Sequence, residues 1–285
     1  MTIRRRQMAG MSVAPAAGWL RRHLQDWAER PRRLQSTGPE PPRRLRARTG
    51  APGLGDWVQG GRKAADELAA LLAQGFSSAQ SILDFGCGSG RVLPHVAARA
   101  PQARCAGTDV DPDAIAWARA HHPGLSFARS SYEPPLPFEA SAFDLVYSIS
   151  VFSHLDEPHQ DAWLAELARL LAPGGIALLS VHGPFAFEQF RSGQVRTSWC
   201  PPGAFDRPPL QDGELVFVPY LRSRWNRGEL PGVGTGYGLA FHGGGYLSER
   251  WSKWLEVERI APRALTGWQD VVICRGRVDG GADRG

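Results

Sequence analysis

The sequence predicts an α/β domain built on a seven-stranded, mostly parallel sheet with helices on both faces and a terminal antiparallel strand pair. Three observations lead there. From Val58 to Val181, short apolar runs alternate with amphipathic segments of helix length, the pattern of βαβ units. Three glycines within five residues, Gly86, Gly88 and Gly90, separate the first apolar run from the helix that follows it. Beyond Tyr246 the alternation gives way to one helix and two strands joined by a short turn.

Taken in order, "GRKAADELAALLAQ" places Leu68, Leu71 and Leu72 at helical spacing, and "SILDF" reads as a short buried strand. "RVLPHVAARA" is a helix with Val92, Leu93 and Val96 on one face, and Pro94 is tolerated in its first turn. "ARCAGTD" is a second strand, "DPDAIAWARAHH" a helix opened by acids and Pro112, "GLSFARS" a third strand and "AFDLVYSIS" a fourth. "EPHQDAWLAELARLLAPGG" carries an apolar stripe of Trp163, Leu164, Leu167, Leu170 and Leu171, stopped by Pro-Gly-Gly. "IALLSVHG" is a fifth strand. "YLSERWSKWL" then leads as a helix into the strands "LEVERIAP" and "WQDVVICRG".

Between residues 184 and 242 the regular pattern lapses. Ten aromatics lie there, about twice the density that a 9% aromatic content distributes along the chain, which argues for an ordered insertion or lid over 184–245. The organisation expected is therefore an Arg/Pro-rich segment (1–50), a core (51–183), the insertion (184–245), a closing helix and strand pair (246–276) and a flexible tail (277–285).

Charge is distributed unevenly. Residues 1–50 hold twelve arginines against three acids, a net +9, while the rest of the chain holds 21 basic and 25 acidic side chains, a net −4. The overall +5 thus belongs to an N-terminal segment expected to be loosely ordered apart from a short helix around Trp19 to Glu29. The acidic body counts against nucleic acid as the partner. Pro15 and weak apolar content argue against a signal peptide. No run approaches the roughly 18 to 20 apolar residues that cross a bilayer. Cys87, Cys105, Cys200 and Cys274 have no paired spacing, so neither a metal site nor a disulfide framework is indicated, and a cytoplasmic location follows as the expectation.

Right-handed crossovers put the loops after the strands on one edge of a parallel sheet, where ligands bind. In "LDFGCGSGR" the glycines allow a sharp turn, and free N–H groups beyond it attract a phosphate or carboxylate. Arg91 stands where a dinucleotide G-x-G-x-x-G turn needs its third glycine, and the Lys and Ser/Thr of a P-loop are missing. Asp109, at the end of the second strand, is placed to accept both hydroxyls of a ribose, with Asp111 as a helix N-cap. Turn and acid together fit NAD or another adenosine-containing ligand.

"ILDFGCGSGRVL", "GTDVDPDAI", "LPFEASAFDLVYSISVFSHL" and "LARLLAPGGIALLSV" resemble, in order and at the usual separations, the motifs of class I S-adenosylmethionine-dependent methyltransferases, a Rossmann-like family. The resemblance covers about Val58 to Val181 and is specific for fold and cofactor, not for substrate. It implies S-adenosyl-L-methionine as cofactor. Asp84, with the turn of Gly86, Cys87, Gly88 and Gly90, would hold its methionine end and Asp109 its ribose, with Val110 among the cofactor-binding residues. Ser131 stands where the family often has an acid, so Ser131 and Tyr132 would meet the adenine. Ser148 to Ser150 would line the cofactor on its substrate side.

Methyl transfer needs alignment of a nucleophile with the S–CH₃ bond, and a hydroxyl acceptor also needs a base. His154, His182 and His242 lie in ligand-facing loops, and His182, at the mouth of the insertion, is the preferred base with His154 second. A packed or hydrogen-bonded histidine is the alternative for each. Arg91 can approach the cofactor carboxylate or stay solvated. The leading function is methylation of a small or medium-sized acceptor, O-methylation of a sugar, glycoconjugate or secondary metabolite, under an aromatic lid. The alternatives are an RNA- or protein-directed methyltransferase using the basic arm, and a cofactor-binding protein without transfer activity.

Overall fold

The computed structural model describes residues 40–49, 53–221 and 232–277. Five strands, β1 (Ser81–Phe85), β2 (Arg104–Asp109), β3 (Ser126–Arg129), β4 (Phe143–Ser148) and β5 (Leu171–Val181), pair in parallel, and β8 (Glu256–Leu265) and β9 (Gln269–Arg275) add an antiparallel edge. The order is β3-β2-β1-β4-β5-β9-β8, so the strand order reverses between β1 and β4. A crevice opens at the carboxyl ends of strands at such a reversal. Strands buried on both faces carry continuous apolar runs. Along β1, Ile82 packs with Leu145, Tyr147 and Leu178 on one face, while Leu83 packs with Val146, Leu179 and Val272 on the other. Each fully buried aliphatic of this kind contributes roughly 1.5–3 kcal/mol.

The helices are α1 (Arg43–Arg48), α2 (Leu54–Ala70), α3 (Leu93–Arg99), α4 (Pro112–His121), α5 (Glu157–Leu170), α6 (Pro184–Arg191) and α7 (Gly244–Arg250). Asp111 caps α4 through the amides of Asp113 and Ala114, and Asp156 caps α5 through that of His159, both with Pro in the first turn.

Several elements differ from the sequence expectation. Helix α2 starts at Leu54 and runs through Gly60 and Gly61, although each glycine disfavours a helix interior by roughly 0.8–1 kcal/mol. The reason is steric: a Cβ on Gly61 would lie 2.2 Å from the Arg91 carbonyl oxygen, so only glycine lets α2 approach there. The stripe of α5 ends at Leu170, because Leu171 already pairs with Phe143 at the start of β5, and the Pro173–Gly175 irregularity falls within that strand. Part of the segment expected to be loosely ordered is a docked helix: α1 has Leu45 only 2% exposed and Arg48 paired with Asp111. The short helix expected around Trp19 to Glu29, and residues 278–285 of the expected tail, lie outside the described residues.

The insertion is more regular than expected. It holds α6 and a two-stranded antiparallel sheet, β6 (Leu215–Pro219) with β7 (Gly238–His242). Phe187, Phe190, Phe205 and Phe241 form a satellite core with Val216, Leu239 and Trp268. Strand β7 is tied to the main sheet where the His242 amide donates to the His182 carbonyl at 2.8 Å.

Candidate active site

A cavity of about 360 Å³ opens at the carboxyl ends of β1, β2 and β4. Asp84 reaches it from β1, buried and accepting a 2.8 Å hydrogen bond from the Tyr147 hydroxyl. Burial pushes its carboxyl up to about 7, against the opposing effect of the Tyr147 bond. Gly86 follows at φ 84°, and a Cβ there would meet the Val151 methyl at 2.3 Å. Both reasons require glycine at this position.

The turn's backbone is not the open anion cradle that the sequence suggests. The Gly86 and Cys87 amides both donate to the Thr108 carbonyl, at 2.8 and 2.9 Å, and the Gly90 amide donates to the Cys87 carbonyl at 3.0 Å. The Gly88 amide donates to Asp109 at 2.7 Å. Asp109 also accepts from the Asp111 amide at 2.8 Å, and burial raises its carboxyl above the ordinary range while these amides oppose the rise. Each carboxylate oxygen keeps a further lone pair for a hydroxyl partner.

The sequence-predicted residues divide by geometry. Asp84, Gly86, Cys87 and Gly88 line the cavity from β1, and Asp109, Val110, Tyr132, Ser150 and His154 line it from the other loops. Gly90 does not; it turns at φ 79° against His122, so its lack of a side chain serves packing. Ser131 points to solvent, and the neighbouring Ser130, buried, is the serine at the cavity wall. Both lie in the loop just beyond β3, where the Ser130 amide donates to the Asp109 carbonyl at 3.0 Å and holds that residue against the end of β2. Ser148 is buried away from the cavity, whereas Ser150 at φ 59° lines it. The Ser150 amide donates to Ser180 Oγ at 2.8 Å, and its hydroxyl is bonded to Gln269, which fixes the unusual conformation.

The histidines separate in the same way. His154 lines the cavity, with Nδ1 2.8 Å from the Gly238 carbonyl and 3.1 Å from the Tyr220 hydroxyl. A carbonyl only accepts, so Nδ1 carries the proton and Nε2 keeps its lone pair. Burial lowers the His154 pKa, which keeps the ring neutral. His182, the preferred base on sequence grounds, lies behind it: its ring meets His154 edge-on at 5.6 Å, stacks on Phe241 at 5.3 Å and does not reach the cavity. His242 is buried against Gln160 at 3.0 Å and is pushed down to about 3 by burial. The pairing of β7 beside the end of β5 turns both rings inward.

Sequence reasoning missed three contributors. Leu45, Arg48 and Thr49 of the N-terminal strap cover one side of the cavity, and Arg48 pairs with Asp111. Trp163 reaches it from α5, its apolar stripe having marked it only as core. Tyr237 stacks on His154 with ring centroids 5.3 Å apart.

Fold and site together define a class: a parallel sheet with an antiparallel edge pair, a glycine turn after β1 and an acid at the end of β2, beside the switch point. The chain carries a class I S-adenosylmethionine-dependent methyltransferase domain, and S-adenosyl-L-methionine is the cofactor of that class. Residues 82–175 match the family model described as a methyltransferase domain. The chain is 34% identical over 121 residues to the malonyl-[acyl-carrier protein] O-methyltransferase of Hahella chejuensis, covering 42% of each. It is 35% identical over 133 residues to the trans-aconitate 2-methyltransferase of Methylobacterium nodulans, covering 45% of this chain and 46% of that one. The matches thus span less than half the length of these relatives. The fold is also that of the Burkholderia thailandensis 1,6-didemethyltoxoflavin-N1-methyltransferase, at a TM-score of 0.52 and 14% identity over 94% of this chain and 93% of that one.

The residues present fit the cofactor. A side chain on Gly86 would fill the cradle, Asp109 offers acceptors for a diol, and Asp84 and Arg91 supply one acid and one base for an amino-acid zwitterion. No helix among the described residues is long and apolar enough to cross a membrane.

Proposed function

We propose that the protein transfers a methyl group from S-adenosyl-L-methionine to a hydroxyl oxygen of a small or medium-sized acceptor, with His154 Nε2 receiving the proton. Bound in the cavity, the cofactor supplies an already electrophilic methyl group, so the chain's own task is alignment, exclusion of water and removal of one proton. Asp84 and Asp109 orient the two ends of the cofactor, and Val151, Leu155 and Trp163 offer apolar walls.

The observation that carries the reading is the fixed tautomer of His154. The Gly238 carbonyl holds the proton on Nδ1 and leaves Nε2 as a base. A carboxylate acceptor is already a nucleophile at pH 7, whereas a hydroxyl must lose its proton during transfer; a base at the cavity therefore favours hydroxyl acceptors. The names of the relatives point to both kinds of oxygen: the fatty-acid O-methyltransferase of Mycolicibacterium smegmatis names a carboxylic acid, and the phthiotriol/phenolphthiotriol dimycocerosates methyltransferase of Mycobacterium leprae names a hydroxyl-bearing compound. A sugar, glycoconjugate or secondary metabolite bearing a hydroxyl is the acceptor class proposed. Much of the insertion's aromatic surface is spent in its satellite core, so stacking on the acceptor falls mainly to Tyr237.

Turnover of labelled cofactor against a panel of hydroxyl and carboxylate acceptors tests this, with wild type beside His154→Gln. Product from hydroxyl acceptors that drops by about 10²–10³-fold in the variant supports the base. Product from carboxylates alone, or an unaffected variant, rejects it.

A further inference from the structure

The amino-acid end of the cofactor carries a carboxylate. The amides of Gly86, Cys87, Gly88 and Gly90 are already hydrogen-bonded within the protein, which leaves the turn Ser89, whose buried hydroxyl has no partner among the described residues, as a neutral donor but gives it no cation. Two permanent cations line the cavity, Arg48 and Arg91. Arg48 is committed to Asp111, with Asp113 at 3.7 Å. Arg91 has no hydrogen-bond or ion-pair partner among the described residues.

We propose that Arg91 is the carboxylate-binding group of the cavity, and that Gly60 and Gly61 of α2 form a notch that positions it. This rests on the cofactor reading given above. A largely desolvated guanidinium without a partner is costly, and an arriving carboxylate removes that cost by supplying one. Burial pulls Arg91 below its ordinary range, and the field of Asp84 opposes that fall. Asp84 itself stands at the same cavity to meet the ammonium, so the two charges of the zwitterion find opposite charges from β1 and from the residue that follows the turn.

The notch explains a feature of α2 that propensity does not. Two adjacent glycines occupy the interior of a 17-residue helix. A Cβ on Gly61 would lie 2.2 Å from the Arg91 carbonyl oxygen and 3.1 Å from its Cγ, and one on Gly60 would lie 3.1 Å from the guanidinium Nη1. Both the backbone and the head of Arg91 are therefore seated against bare helix backbone. A larger residue at 61 displaces the Arg91 backbone and swings the guanidinium with it. Gly60 and Gly61 act through Arg91 and are positioning residues.

Calorimetric titration of the full chain with S-adenosylhomocysteine and with 5′-methylthioadenosine, which lacks the amino-acid group, separates this role from a structural one. The ratio of the two affinities should fall by about 10- to 100-fold in Arg91→Met, the loss of a hydrogen bond to a charged group, with methylthioadenosine binding unchanged. Arg91→Lys should recover part of the ratio, since a point charge lacks the bidentate fork. Gly61→Ala should lower the ratio toward that of Arg91→Met. Retained methylthioadenosine binding shows that each variant folds. An Arg91→Met protein that keeps the wild-type ratio, or loses both ligands equally, overturns the carboxylate assignment, and a Gly61→Ala protein with the wild-type ratio overturns the notch. Wild-type protein that binds neither ligand overturns the cofactor reading and this proposal with it.

Discussion

Asp84 makes ligand affinity and stability respond to pH in opposite directions. Burial raises its carboxyl to about 7; the Tyr147 hydroxyl opposes the rise, Asp109 adds to it and Arg91 lowers it. An ammonium binds the ionised form. If binding requires that form, S-adenosylhomocysteine affinity rises about 25-fold between pH 5.5 and 7.5, the change in ionised fraction for a group at about 7. Stability moves the other way. Between pH 3.8 and about 7 the folded protein holds a proton at Asp84 that the unfolded chain has released, so stability falls as pH rises through that window, by about 4 kcal/mol once ionisation is complete. Asp84→Asn keeps a partner for Tyr147 and removes the charge. It should flatten the affinity profile, weaken S-adenosylhomocysteine at pH 7.5 and raise the melting temperature of the empty protein at pH 8 by several degrees. Calorimetry at the two pH values and thermal melts from pH 5 to 8 measure both. A wild-type affinity flat across that range, or an Asn variant melting no higher than wild type at pH 8, refutes the assignment of the ionisation to Asp84.

Tyr147→Phe removes the hydrogen bond that lowers the Asp84 carboxyl, so the midpoint of the affinity profile should shift to higher pH, read by the same titrations. Gly86→Ala places a Cβ 2.3 Å from the Val151 methyl at φ 84°, and should destabilise by more than about 1 kcal/mol in denaturant melts and abolish measurable S-adenosylhomocysteine binding. Asp111→Ala loses the α4 cap and the partner of Arg48 together, a cost of about 0.5–2 kcal/mol for the cap alone, seen as a lower denaturation midpoint. With burial lowering the His154 pKa, the base stays neutral below pH 6.5, so the acidic limb of the kcat profile should lie below that value and vanish in His154→Gln.

The sheet was legible because its signal is local. Buried parallel strands are largely apolar runs, and those around Ile82, Val146 and Leu178 stand out in the sequence although Asp84 and Asp144 interrupt the first two. The Asp111 cap was legible for the same reason, since its side chain reaches amides only two and three residues away. Where local propensity and packing disagreed, packing prevailed. The helical spacing is legible only from Gly61 onward yet α2 starts at Leu54, and Leu171 reads as helix yet starts β5. The aromatics of the insertion signalled order, but their spacing did not show that Phe187, Phe205 and Phe241 pack on one another across more than fifty residues.

By itself the sequence determined the order of strands and helices from β1 to β5 and the closing strand pair, the sharp turn after β1 and the acid at the end of β2, because periodicity, glycine and capping are decided within a few residues. Only the tertiary structure decided which groups share the cavity. His154 faces it because Gly238, 84 residues away, fixes its ring, while His182 and His242 are turned inward by the pairing of β7 with the end of β5. Arg91 lies at the wall, seated against the bare backbone of α2 and without a partner among the described residues, and the strap of Leu45 and Arg48 closes the side beside Asp111. Such placements depend on contacts between residues far apart in the chain, and no periodicity along the sequence encodes them.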